Sequence, residues 1–201
     1  MSANMQNNRQ AKIKRHTKET EIELVLQLDG SGESEISTGI GFFDHMLTHL
    51  AKHSRWNLIV RAKGDLHVDA HHTVEDVGLC IGAALKDSLG DKGGLKRFAC
   101  SSVPMDETLA NVAIDISGRP MLVYNVAYPT DKIGEFDVQL VEEFFRAVVN
   151  TAGLTLHINV PYGNNSHHIA EAIFKASAQA LGGATQIVND VNHIPSTKGM
   201  L

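Results

Sequence analysis

The sequence predicts an α+β fold in which one strand–helix–strand–helix unit occurs twice. The string His71-His72-Thr73-Val74-Glu75 returns as His167-His168-Ile169-Ala170-Glu171, so His-His-x-x-Glu stands at two places in the chain. Each copy runs into apolar residues of helical period, Val77, Ile81, Ala84 and Leu85 after the first, Ile173, Ala176, Ala180 and Leu181 after the second. Each therefore opens a helix at its first turn. Before each copy lie alternating segments that read as strands and one shorter helix.

Residues 11–16 and 21–29 read as the first two strands. The second alternates Ile22, Leu24, Leu26 and Leu28 with Glu21, Glu23 and Gln27, then turns at Asp29-Gly30-Ser31-Gly32. One face is buried and the other wet. After a short strand over 35–38, Gly39 and Gly41 break the chain ahead of a helix that Asp44 is placed to cap and that runs to about residue 54. Residues 56–62 alternate as a strand, and the first His-His helix extends to about residue 89, before Gly90. The second half repeats this order, with strands over 97–104, 109–117 and 121–128, a helix over 138–152, a strand over 155–160 and the second His-His helix over 166–181. Residues 1–10 are polar and read as a disordered tail. The remainder divides into a first half, 11–95, and a second half with a C-terminal segment, 96–201, in one compact domain.

Composition narrows the function. With 201 residues, 43% apolar and 20% charged, the chain can bury a sizeable core. A net charge of −5, a pI near 6.1 and the lack of a basic run argue against a nucleic-acid partner. No apolar stretch approaches the roughly 20 residues of a membrane span and the N-terminus is polar, which predicts a cytoplasmic protein without a membrane partner. Cys80 and Cys100 make no disulfide framework, and Cys80 falls on the apolar face of a helix. Eleven histidines are the compositional anomaly.

Helical spacing turns those histidines into chemistry. The first His and the Glu of each copy lie four apart and share a face, while the second His points about 100° away, so one copy can serve two metal centres. A single copy reads equally well as a polar helix start with an acid favoured by the helix dipole; it is the duplication that argues for metal. Cys-free nitrogen and oxygen ligation suits Mn, Fe or Zn in a catalytic site rather than a structural zinc site. Aligning the halves on His71 and His167, with a shift of two residues, makes Glu143 the counterpart of His45. One centre is then His45, His72, His167 and Glu171, and the other His71, Glu75, Glu143 and His168. Spacing leaves open whether the ligands meet within one chain or between chains. His49 and His53 continue the His45 stripe and read as solvated.

Several strings resemble a known family, the imidazoleglycerol-phosphate dehydratases of histidine biosynthesis. They are Arg15-His16-Thr17-Lys18-Glu19-Thr20, Thr38-Gly39-Ile40-Gly41-Phe42-Phe43-Asp44-His45-Met46-Leu47, His71-His72-Thr73-Val74-Glu75-Asp76, Asp115-Ile116-Ser117-Gly118-Arg119-Pro120, His167-His168-Ile169-Ala170-Glu171-Ala172 and Pro195-Ser196-Thr197-Lys198-Gly199. The resemblance implies a duplicated α+β fold of the ribosomal protein S5 domain 2-like type. It implies two Mn ions per active site and loss of water from imidazole glycerol phosphate to give imidazole acetol phosphate. It implies a homo-oligomeric shell of twenty-four subunits with sites at subunit interfaces. The family's metal ligands fall on the eight residues named above. Its grip on the small-molecule phosphate substrate falls on Arg97, Arg119, Ser196, Thr197 and Lys198, and its substrate-binding carboxylate on Glu19. Many members carry His where Glu143 stands, and Ala70 replaces a common Asp. For mechanism, the proton leaves a carbon beside an imidazole, so the ring must serve as electron sink. Glu171 or its mate Glu75 is expected to move that proton, with Glu19 at the departing hydroxyl. The alternative is a binuclear metallohydrolase acting on a phosphate ester, although neither motif offers the bridging Asp common in such sites; a metal-storage shell would need no cationic grip.

Overall fold

The computed structural model describes residues 9–188, 190 and 193–199. Of the segment expected as a tail, residues 1–8 lie outside the described residues, whereas Arg9 donates to the Asp29 carboxylate at 2.8 Å and Gln10 already opens the first strand.

The repeat is visible in the element order. The first half comprises β1 (Gln10–His16), β2 (Thr20–Gln27), β3 (Ser34–Ser37), α1 (Gly41–Ser54), β4 (Asn57–Gly64) and α2 (His71–Leu89). The second comprises β5 (Phe98–Met105), β6 (Thr108–Asp115), β7 (Met121–Asn125), a small hairpin of β8 (Lys132–Ile133) and β9 (Phe136–Asp137), α3 (Gln139–Ala152), β10 (Thr155–Tyr162) and α4 (Ser166–Ala184). The sheets have matching strand orders, β1-β2-β4-β3 and β5-β6-β10-β7. In each the edge strand β3 or β7 runs parallel to its neighbour, and the other pairs are antiparallel. The α+β duplication predicted from the motifs is thus present in the topology.

Alternation decides which sheet face packs. Ile22, Leu24 and Leu26 of β2 are buried with Leu58 and Val60 of β4, while the other face carries ion pairs such as Arg61 with Glu35 at 2.6 Å. On the second sheet Ala110, Val112, Ile114, Leu156 and Ile158 form the equivalent inner face. Helices α1 and α2 cover the first sheet, and α3 and α4 the second. The helices then pair across the repeat, α1 with α4 and α2 with α3. That exchange puts residues of opposite halves side by side. Gly78 and Gly82 let α2 approach closely: a Cβ on either would stand 2.8 Å from the Phe144 or Val148 carbonyl of α3. At the centre the Phe144 ring lies 5.4 Å from Phe43 and 5.3 Å from Phe174, centroid to centroid.

Two local expectations need correction. Asp44 does not cap α1; the helix starts at Gly41 after Ile40, which makes no side-chain cap bond. Its short carboxylate instead accepts from the backbone N–H of Thr38 at 2.9 Å and the Thr38 hydroxyl at 2.5 Å, tying down the incoming loop from inside the first turn. The strand expected to reach residue 128 ends at Asn125, and a hairpin follows whose two-residue strands are too short to show alternation. Among the described residues no helix is long and apolar enough to cross a membrane.

Candidate metal centre

At the start of each His-His helix a side-chain oxygen accepts from the N–H of the first His, although only in α4 does it come from the N-cap residue itself. The Asn165 side chain accepts from the backbone N–H groups of His167 at 2.9 Å and His168 at 3.3 Å. Asp69 accepts from the N–H of His71 at 2.7 Å. Each acceptor stands two residues before the first His, and satisfying these N–H groups fixes where the imidazoles leave the helix.

Because α1 lies along α4, His45 of one half meets His167 and Glu171 of the other. The ligand atoms of these three lie within 4.8 Å of one another, the one such group of three among the described residues. Nε2 of His45 is 3.3 Å, and Nε2 of His167 3.2 Å, from the same Glu171 oxygen. The other oxygen receives the Lys175 ammonium at 2.6 Å. Burial by itself would raise the Glu171 pKa, but Lys175, with His49 and His167 adding, more than reverses this and holds it at about 2. Two ring nitrogens converging on an ionised carboxylate, with no sulfur, fit a divalent cation of the Mn, Fe or Zn kind.

His49 belongs to this cluster rather than to a solvated stripe. Its Nε2 stands 3.1 Å from Nε2 of His45 and 3.4 Å from Glu171, because the face that continues from His45 is turned to α4 instead of water. Burial lowers its pKa to about 4, so the ring is neutral at pH 7. His53 stacks on it with centroids 5.7 Å apart.

The other expected ligands keep different company within the chain. His71 and Glu75 share a face of α2 with 4.0 Å between Nε2 and the carboxylate. Glu143 lies on α3, 3.9 Å from the Arg146 guanidinium, which sits closer to Glu142. His72 is bonded through Nδ1 to Asp65 at 3.0 Å, and its Nε2 faces Glu19 at 3.9 Å. His168 is bonded through Nδ1 to Glu107 at 2.7 Å, and its Nε2 faces Asp106 at 3.8 Å. These carboxylates raise the pKa of both rings, Asp65 at His72 and Glu107 at His168.

Two of the expected phosphate residues, Arg97 and Arg119, meet at Asp115. Arg97 donates to its carboxylate from Nε at 2.7 Å and Nη2 at 3.2 Å, and from Nη1 to the Pro195 carbonyl at 2.7 Å. Arg119 approaches the same carboxylate at 4.0 Å and is exposed. The Pro195 contact seats the turn in which the Lys198 N–H donates to Ser196 Oγ at 3.2 Å, with Thr197 between them. Sequence reading missed Lys175, Asp65 and Glu107. The first stands four residues after Glu171 on one helix, a legible spacing; the other two depend on strand ends that only the fold brings to the rings.

Comparison with known proteins converges on one family. The family model described as Imidazoleglycerol-phosphate dehydratase matches residues 38–181. The enzyme of that name from Nitrobacter hamburgensis is 59% identical over 194 residues, covering 96% of this chain and 98% of its own length. That from Geobacter metallireducens is 57% identical, covering 96% and 100%. The crystal structure of the Staphylococcus aureus enzyme superposes with a TM-score of 0.81 at 44% identity, covering 89% of this chain and 99% of the other. The Pyrococcus furiosus enzyme in complex with (S)-C348 gives 0.81 at 35% identity, covering 94% and 100%. The chain belongs to the imidazoleglycerol-phosphate dehydratase family.

Proposed function

We propose that the chain dehydrates imidazole glycerol phosphate to imidazole acetol phosphate at a dinuclear Mn centre shared between copies. The observation that carries this reading is the convergence of His45, His167 and Glu171 from opposite halves in a member of this family. One centre takes these three with His72, and the other takes His71, Glu75 and Glu143 with His168. The second set draws on α2 and α3, which pack against each other across the repeat. His72 and His168 are engaged at the strand ends of their own chain, so another copy has to bring them to the clusters. That need makes the enzyme a homo-oligomer with interfacial sites, for which the twenty-four-subunit shell is our proposal.

Bound there, the ions supply Lewis acidity toward the substrate's imidazole ring, the electron sink that the C–H bond requires. The chain's own groups do the rest. Arg97, Arg119 and Lys198, with Ser196 and Thr197, hold the phosphate; Arg offers forked donors and Lys a point charge. Glu171 or Glu75 takes the carbon-bound proton. Glu19, beside His72, meets the departing hydroxyl, so proton and hydroxide leave together as water and the enol product relaxes to the ketone.

The test is to incubate the protein with Mn2+ and imidazole glycerol phosphate and follow both the enol-ketone product and inorganic phosphate. Product without phosphate, abolished by chelator, is the expected result. Phosphate release without the ketone makes the protein a phosphate-ester hydrolase, and metal uptake with neither product makes it a storage protein.

A further inference from the structure

We propose that Asp65 and Glu107 are positioning residues that keep the Nδ1 of His72 and His168 protonated, so that each ring presents an Nε2 lone pair to a metal ion. The inference rests on the reading of these two histidines as ligands. A carboxylate at these distances, 3.0 Å from Nδ1 of His72 and 2.7 Å from Nδ1 of His168, can only accept. In a neutral ring the proton then sits on Nδ1 and Nε2 is free. The same nitrogen is the one by which His45 and His167 approach Glu171. All four rings therefore offer Nε2 outward, two of them because a carboxylate holds the opposite nitrogen.

The halves reach this arrangement by different routes. Asp65 follows β4 directly, and the position following β10 in the second half is Gly163. No side chain fits there: a Cβ would stand 2.6 Å from the Thr108 hydroxyl. The second half uses Glu107 instead, from the β5–β6 turn. Its Oε1 accepts from the N–H groups of Asn164 and Asn165 at 3.1 Å each and from the Thr108 hydroxyl at 3.0 Å, which leaves Oε2 aimed at the imidazole. The acceptor of the His168 ring is thus tied to the segment that caps α4. Two unrelated solutions to one orientation are what a ligand requires; a surface ion pair, worth about 0–1 kcal/mol, requires neither.

Two measurements on the full chain decide the matter. In metal-stripped protein at a pH where the rings are neutral, imidazole 15N shifts should report hydrogen on Nδ1 of His72 and His168. In Glu107→Ala the His168 ring should become a tautomer mixture, and Asp65→Ala should do the same to His72. In each variant Mn2+ affinity, measured against a competing chelator, should fall roughly 10- to 100-fold. Glu107→Leu and Asp65→Leu fill the space without an acceptor and carry the same test if an alanine variant does not fold. Hydrogen on Nε2 in the unmutated protein, or variants with unchanged tautomers and affinity, overturns the proposal. His168→Ala separates it from the reading beneath. If that change leaves Mn2+ binding intact, His168 is no ligand and both fall; if it weakens binding while the Glu107 variants do not, only the positioning role fails.

Discussion

Glu143 is the residue at which the internal repeat and the expectation from the family resemblance pull apart. The repeat makes it the partner of His45, while the resemblance leads one to expect His there. In the chain it stands 3.9 Å from Arg146, whose guanidinium is closer to Glu142, so its carboxylate is largely free to turn to an ion. A carboxylate ligand suits Mn as well as an imidazole does and adds a negative charge. Glu143→Gln removes the charge and keeps the shape. It should therefore lose or weaken one of the two proposed ions while the His45 centre persists, and Glu143→His should restore it. Bound Mn in the three proteins checks this: equal occupancy and affinity throughout would remove Glu143 from the site. At this scale the motif residues were legible because helical spacing alone puts His and Glu on one face. His49 was not, since its polarity and spacing also fit a wet face and only the neighbouring helix decides.

The helices were legible to within a few residues from their apolar period, and α2 was read to its last residue. What escaped were the devices that start them. Asp44 looked like a cap and is a loop tie, whereas Asn165, which caps α4, and Asp69, which holds the first N–H of α2, stand ahead of the residues where the period begins. Aligning Asp69-Ala70-His71 with Asn165-Ser166-His167 would have exposed both. Losing an Asx cap costs about 1 kcal/mol. Asn165→Ala should therefore lower the melting temperature by roughly 2–4 °C for a chain of this size. It should also weaken Mn2+ binding, because the freed N–H groups belong to His167 and His168 themselves. A calorimetric scan with and without Mn2+ tests this; a melting point lowered equally in both would show a cap that serves the helix but not the metal.

Across the whole molecule the duplication was legible, but the exchange of helix partners was not. Two halves of the same order could pack α1 on its own α2; that α1 instead meets α4, where Gly182 faces the Ser54 carbonyl, and α2 meets α3, where Gly78 and Gly82 face the Phe144 and Val148 carbonyls, rests on close approaches that no local pattern reveals. The exchange explains why a single chain gathers His45, His167 and Glu171, while His72 and His168 stay bonded to Asp65 and Glu107 at the strand ends. If another copy delivers those two rings, each ion becomes part of an interface, and its binding free energy is assembly free energy. An ion present at about 100 times its Kd adds roughly 2.7 kcal/mol per site to the bound state. Chelation should accordingly shrink the particle to small oligomers, lower its melting temperature by roughly 5–10 °C, and abolish activity. Readdition of Mn2+ should reverse all three, and more steeply at higher protein concentration, since the sites are built from more than one chain. Light scattering and activity on the same chelated sample check it. A particle that keeps its size while losing activity would place all ligands of each ion within one chain, and a chelated particle that keeps both would sink the interfacial centre altogether.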